Sequence, residues 1–290
     1  MANSPSHRFG QIVGDLLEEI MTPQLEAFCA RRSLYLDKKG TRGTARTGKK
    51  VSWECRFGNS HDLDFVIEKG GSATKLGRPL AFIEAAWRRY TKHSRNKAQE
   101  IQGAILPIAE KYAWDKPFLG AILAGVFTEG SLTQMKSSGF EVVLFPYETI
   151  VSAFRGVGID VAFDEDTPDA TFTTAVDQIE RISAANRSAL KTALIASNRA
   201  VLDVFFAELV KVLDRTIERV ICIPLHGSQN EFASVGDAVQ FIKTFDVTVA
   251  STATFKKFEI IVRYSNGDKI DASFETATEA LKFLAYIAAA

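Results

Sequence analysis

Apolar residues recur at helical spacing over residues 10–31 (Ile12, Val13, Leu16, Leu17, Ile20, Leu25, Phe28), which predicts an amphipathic helix at the start of the fold. Three runs of strand character follow: VSWECRF at 51–57, DLDFVIE at 62–68 and LAFIEAAW at 80–87. Between the helix and these runs lies 36–50, LDKKGTRGTARTGKK, with six Lys/Arg, three Gly and a single acid, and it reads as an exposed, mobile loop. A helical pattern covers about 94–112, with Pro107 expected to kink or break it. Strands at 117–127 and 140–147 alternate with short helices at 129–138 and 148–155. This order predicts an α/β (α+β) fold built on a mixed sheet flanked by helices, its later strands joined by an α crossover.

Residues 160–169, DVAFDEDTPD, carry five acids and a proline and suggest a domain boundary, giving one domain over 1–160 and another over 170–290. The second is expected to be helix-rich α+β: helical from 172 to 217, then a strand at 220–225, a helix at 235–245, two strands about Asn266-Gly267 and a last helix at 278–287. The Asn-Gly pair between alternating runs is a strong hairpin signal. No internal repeat is evident along the chain.

Composition narrows the picture. With 290 residues, 46% of them hydrophobic, the chain can bury a substantial core, which excludes disorder as its global state. Thirty-five basic against thirty-five acidic residues exclude a uniformly basic coat for nucleic acid but permit a local basic face. Cys29, Cys55 and Cys222 are odd in number and far apart, so neither a disulfide framework nor a Cys-x-x-Cys metal knuckle is expected. No apolar run is long enough to span a membrane, and the first residues lack a signal-peptide core; a cytoplasmic protein with no membrane partner is expected.

The candidate chemistry centres on Asp64, Glu84 and the basic segment after Glu84. Strand alternation places Asp64 with Val66, and Glu84 with Phe82 and Ala86, on one face of each strand. On neighbouring strands the two carboxylates would converge into a hard-oxygen pocket suited to Mg²⁺. Glu84 interrupts an apolar run, and a carboxylate inside a central strand is costly to desolvate without a cation. Residues 87–97, WRRYTKHSRNK, add Arg88, Arg89, Lys92, His93, Arg95 and Lys97, with aromatic residues between them. Cations beside two carboxylates fit contact with a phosphodiester backbone, and the loop residues Lys38, Lys39, Arg42 and Arg46 extend that basic character. Ser94 is a candidate N-cap that would aim backbone N–H groups at an anion. The four histidines (His7, His61, His93, His226) lack zinc-ligand spacing, RGTARTGKK is not a Walker loop, and no Gly-x-Ser-x-Gly elbow is present.

Over about residues 10–155 this arrangement resembles the PD-(D/E)XK nuclease superfamily, in particular type II restriction endonucleases. The residues that carry the resemblance are DFV with Asp64, the 19-residue gap to Glu84-Ala-Ala86, and the helix, strand, helix, strand order that follows. The resemblance implies a Mg²⁺-dependent DNA endonuclease, with Mn²⁺ able to substitute, Asp64 and Glu84 as metal ligands and a catalytic lysine two residues after Glu84. It further implies double-stranded DNA as partner and, for a palindromic site, a homodimer. Gln99 matches a glutamine some members carry on the next helix, and Glu18 or Glu19 an acid some place on the first helix.

Position 86 departs from the family, because it is alanine. Three readings follow: a cation reaches the same spot from the next helix, Lys97 first and Lys92 second; the chain is an inactive relative; or an active enzyme was disabled by substitution. The closeness of EAAW to the family strand pattern favours a missing lysine, so that Ala86→Lys would restore cleavage. Two rival functions remain beside the restriction enzyme: a repair or recombination nuclease of the same fold, and a non-catalytic nucleic-acid-binding or scaffold protein.

Overall fold

In the computed structural model, which describes residues 4–90, 94–225, 228–249 and 254–289, the protein is α+β. It divides into two units: residues 1–112 with 117–209, and residues 113–116 with 210–290.

The first unit opens with α1 (Pro5–Arg31), whose apolar stripe buries Phe9, Leu16, Leu17, Ile20 and Leu25, and which is capped by Ser4 accepting from His7 N–H. Next come β1 (Tyr35–Lys38), the hairpin β2 (Val51–Glu54) and β3 (Ser60–Leu63), β4 (Phe65–Lys69) and the long β5 (Arg78–Arg88). Helix α2 (Ser94–Lys111) connects β5 to β6 (Phe118–Gly125), and α3 (Glu129–Ser137) connects β6 to β7 (Phe140–Pro146). The main sheet has the order β1-β4-β5-β6-β7, antiparallel as far as β5 and parallel from β5 to β7. This is the mixed sheet with α crossovers that the apolar pattern predicts. One sheet face packs Val66, Phe82, Ala86, Ala121 and Leu123 against Ile101, Ile105 and Ile108 of α2. Against the other lies α1, whose Phe9 meets Trp87, Phe154, Phe163 and Phe172 ring to ring. Helix α2 runs through Pro107 to Lys111 without the expected break, and the carbonyl of Pro107 accepts from Arg56 N–H at 3.1 Å.

The boundary expected at 160–169 is not where the chain divides. After α4 (Tyr147–Arg155), helices α5 (Asp169–Glu180), α6 (Ala184–Ser197) and most of α7 (Arg199–Leu213) belong to the first unit. The physical reason is aromatic packing: Phe172 of α5 stands against Phe9 and Phe163, and Phe205 of α7 against Phe118.

The second unit is a sheet in the order β11-β10-β8-β9, antiparallel throughout, with α8 and α9 packed on it. Its elements are β8 (Ile217–Pro224), β9 (Asn230–Phe232), α8 (Val235–Thr244), β10 (Phe258–Tyr264), β11 (Lys269–Phe274) and α9 (Ala277–Ala288). The hairpin expected at Asn266-Gly267 joins β10 to β11, with Gly267 at φ +88°. Contrary to the sequence reading, this unit is internally repetitive, with strand, strand, helix occurring twice. The helices match residue by residue: Ser234 and Thr276 cap them, accepting from the N–H of Asp237 and Glu279, and Ala238, Phe241 and Ile242 correspond to Ala280, Phe283 and Leu284. Among the described residues no helix is long and apolar enough to cross a membrane.

Candidate metal and phosphate site

Asp64 sits immediately before β4, and Glu84 lies within β5. The antiparallel register pairs Phe65 with Ile83 and Val66 with Phe82, so its continuation sets Asp64 opposite Glu84. Directly opposed like charges destabilise a strand pair, and here both are half-buried. The N–H of Ala85 donates to Asp64 Oδ2 at 2.7 Å and fixes that carboxylate at the strand end. Glu84 Oε2 is buried and finds no hydrogen-bond partner among the described residues.

The electrostatics follow from this crowding. Burial and then the charge of Asp64 push the Glu84 carboxyl up to about 8, against the pull of the Lys97 ammonium. Burial also raises Asp64, while the Ala85 N–H and the charges of Lys97 and Lys39 hold it down. A third carboxyl, Glu18 of α1, is raised by its own burial and by Asp64. Lys39 lies 3.7 Å from Glu18 and 3.5 Å from Asp15. Glu19, by contrast, turns away into an ion pair with Arg187 and Lys191, so of the two adjacent glutamates Glu18 faces the site.

These residues suit a hard divalent cation. An orphaned buried carboxylate oxygen and three carboxyls displaced toward neutrality are the signature of a set whose neighbouring lysines do not fully offset its negative charge and burial. Among the described residues no cluster of three or more His, Cys, Asp or Glu side chains is arranged to hold a metal by itself. Mg²⁺ does not require one, since it commonly takes one or two carboxylates and completes its shell with water and phosphate oxygens.

Position 86 holds the small side chain that the sequence gives it, buried at 4% exposure in the α2 face of the core. Lys97, on the first turns of α2, supplies a cation whose charge acts on both Asp64 and Glu84, and its Nζ is 3.3 Å from Glu100. Lys97 is thus a lysine whose charge reaches both carboxylates from the helix, whereas position 86 carries none.

The remaining cations divide. Arg88 borders a cleft beside the carboxylates, its guanidinium donating to the carbonyl of Trp87 and lying 3.5 Å from Glu100. Arg89 borders the same cleft. That ledge exists because Gly125 ends β6 at φ +97°, where an added Cβ would stand 2.0 Å from the Arg88 carbonyl oxygen. Arg95 and Gln99 are exposed on α2, and Lys38 pairs with Glu26 at 2.6 Å. His61 lies on β3, paired across the hairpin with Trp53. Lys92, His93 and His226 lie outside the described residues.

Arg42 and Arg46 are a correction to the expected basic loop. Arg42 is 3% exposed and bridges Asp37 and the wholly buried Glu68, while also donating to the carbonyls of Ser72 and Lys75. Arg46 grips Asp37 and the carbonyls of Lys38, Gly40 and Gly48. Both fasten 36–50 to the sheet edge, where Tyr35–Lys38 pairs with β4, and neither is presented to a ligand. What sequence reasoning missed is the part played by α1: His7, Gly10, Gln11 and Gly14 line the cleft. The available signal was Gly10 and Gly14, four residues apart on an apolar helix and costly there unless something must come close.

No family profile and no curated protein matches this chain. Among solved structures, one described as "Crystal Structure of Protein of Unknown Function AF1548" is similar over 69% of this chain and 98% of its own, at 14% identity and a TM-score of 0.30.

Proposed function

We propose that the protein is a metal-dependent phosphodiesterase that cuts DNA, working in a reducing, cytoplasmic setting. The observation that carries the reading is the opposition of Asp64 and Glu84 across β4 and β5 with a lysine from α2 beside them. Burial and freedom from disulfides at Cys29, Cys55 and Cys222 fit such a compartment.

Asp64 and Glu84 would hold Mg²⁺ or Mn²⁺, with Glu18 close enough to bias the charge of the set. A bound divalent cation supplies the Lewis acidity that neutralises charge developing on the scissile phosphate. The protein's own contributions are positional. The Ala85 N–H holds Asp64 at the strand end, leaving its second oxygen for a ligand. The Lys97 ammonium favours ionised carboxylates and provides an N–H donor that can orient an attacking water or a phosphate oxygen. Arg88 and Arg89 offer positive charge to the neighbouring backbone phosphates.

The test is incubation of the full chain with plasmid DNA and either Mg²⁺ or Mn²⁺. Cleavage is expected in the parent protein and is expected to vanish in Asp64→Asn and in Glu84→Gln. Full activity in either variant places the chemistry elsewhere, and a parent protein that cuts nothing with any divalent metal overturns the reading.

A further inference from the structure

An open cleft of about 660 Å³ lies beside the carboxylates, between the first half of α1, the end of β5 and Lys97. Arg88, Arg89 and Lys97 line it together with His7, and among the described residues no Asp or Glu does. In a chain of zero net charge, a cavity of that size without one acid is a local departure. Arg89 is stacked there between two rings: its guanidinium lies 4.1 Å from the ring centre of Tyr90 and 4.4 Å from that of Phe172. Its Nη1 is buried and has no hydrogen-bond partner among the described residues. Stacking on two aromatic faces leaves a guanidinium its in-plane N–H groups, which suit a phosphate.

A second cavity, of about 440 Å³, adjoins the first and shares Gln11 and Gly14 with it. This one contains Asp15, Glu18 and Lys39. A path along α1 thus runs from the acid-free cleft to the carboxyl groups, over a helix face kept low by Gly14. A Cβ added at Gly14 would meet nothing within 4 Å, so the missing side chain leaves open space and not a packed contact.

We propose that the acid-free cleft binds single-stranded nucleic acid at the nucleotide adjoining the cut, with a backbone phosphate on Arg89. Placing the cut next to it rests on the phosphodiesterase reading; the strand site itself does not. The cleft is an open groove, and its volume of about 660 Å³ suits one or two nucleotides and not a duplex. Cations along a groove with aromatic residues beside them are how single strands are held without reading sequence.

The experiment measures fluorescence anisotropy of a labelled ten-residue oligothymidine with the full-length chain in EDTA, with a blunt hairpin duplex as competitor. Variants are Arg89→Gln, Gly14→Leu and, as a control for the carboxylate site, Asp64→Asn. Gly14 lies inside a helix with open space beside it, so Gly14→Leu keeps or raises the melting temperature while filling the path. The single strand is expected to bind at least ten-fold tighter than the duplex. Arg89→Gln and Gly14→Leu should each weaken it ten-fold or more, with Asp64→Asn no weaker than the parent. Losing one phosphate contact in Arg89→Gln should flatten the salt slope by about 0.7 log-log units. Parent-like binding in a folded Gly14→Leu protein, or equal competition by the duplex, overturns the proposal. If the strand binds in a Gly14-dependent way and no metal supports cutting, the phosphodiesterase reading falls and the strand site stands. If Gly14→Leu cuts at the parent rate, the cleft assignment falls and the phosphodiesterase reading stands.

Discussion

Glu84 shows how one residue can set the pH response of the protein. Folding raises its carboxyl from 4.5 to about 8, chiefly by burial, so the native state holds this proton more tightly than the unfolded chain does. The stability that the proton confers is fully present below about pH 4.5 and is lost as pH rises through about 8. Asp64 and Glu18 shift in the same direction and add to the trend. Metal-free protein should therefore lose stability, on the order of a few kcal/mol, between pH 5 and pH 9. Urea titrations across that range should give a clearly flatter profile for Glu84→Gln, and Mg²⁺ at pH 8 should raise the melting temperature of the parent but not of that variant. A parent profile as flat as that of Glu84→Gln would mean the carboxyl is not buried as described. Lys97 is the complementary case. Lys97→Met should lower the cleavage rate by about 10² to 10³, and Ala86→Lys should not rescue it, because residue 86 is only 4% exposed and packs among apolar core side chains, where a lysine stem would have to displace them. Rescue by Ala86→Lys would return the catalytic cation to the strand.

At the scale of elements, hydrophobic periodicity is enough to place most helices and strands, because each must bury one face and the pattern records which. It placed α1, β5 and the β6-α3-β7 crossover close to their observed ends. It also put Asp64 and Glu84 on the same side of their strands, which is why the carboxylate pair was legible. What it could not show depends on long-range pairing. Tyr35–Lys38 is too short to carry a strand pattern and becomes β1 only because β4 offers it an edge. Arg42 looks like a solvated loop cation in sequence and is instead the centre of a buried cluster with Asp37 on β1 and Glu68 on β4, the latter 26 positions further along the chain. Its guanidinium donates through Nε, Nη1 and Nη2, which leaves little for a phosphate. Arg42→Met should destabilise the first unit by about 3–5 kcal/mol, since it leaves the buried Glu68 without its guanidinium and Asp37 with Arg46 alone. Removing a nucleic-acid contact would instead leave stability unchanged and weaken binding, so denaturation and anisotropy measured on the same variant separate the two roles. The repeat in the second unit is faint in sequence for a different reason: its halves share cap, alanine and phenylalanine positions on the helices, while their first strands differ, β8 burying Val220, Ile221 and Cys222 in succession and β10 burying alternate positions.

For the whole molecule, the path of the chain matters more than the count of its domains. The candidate site lies entirely in the first unit, yet residues 113–116, between α2 and β6, belong to the second, so the backbone passes from one unit to the other at 112/113, 116/117 and 209/210. Within the second unit that short segment is an anchor. Trp114 lies 5.0 Å from the Phe283 ring, 5.6 Å from Tyr286 and 6.1 Å from Phe274. Tyr286 donates to Asp115 Oδ1 at 2.6 Å, and Arg215 donates to the carbonyls of Asp115 and Lys116 while pairing with Asp268 at 2.8 Å. The last 81 residues taken alone would thus lack part of the packing that covers α9 and β11. Trp114→Ala in the intact chain tests this without dissecting it. Trp114 is 38% exposed, so the loss should be smaller than for a fully buried tryptophan, about 2 kcal/mol. Because the ring touches only residues of the second unit among its ring contacts, hydrogen exchange should speed up in α9 and β11 and stay slow in β4 to β7. Equal acceleration in both sheets would show that the units unfold as one, and unchanged protection in α9 would show that Trp114 anchors nothing.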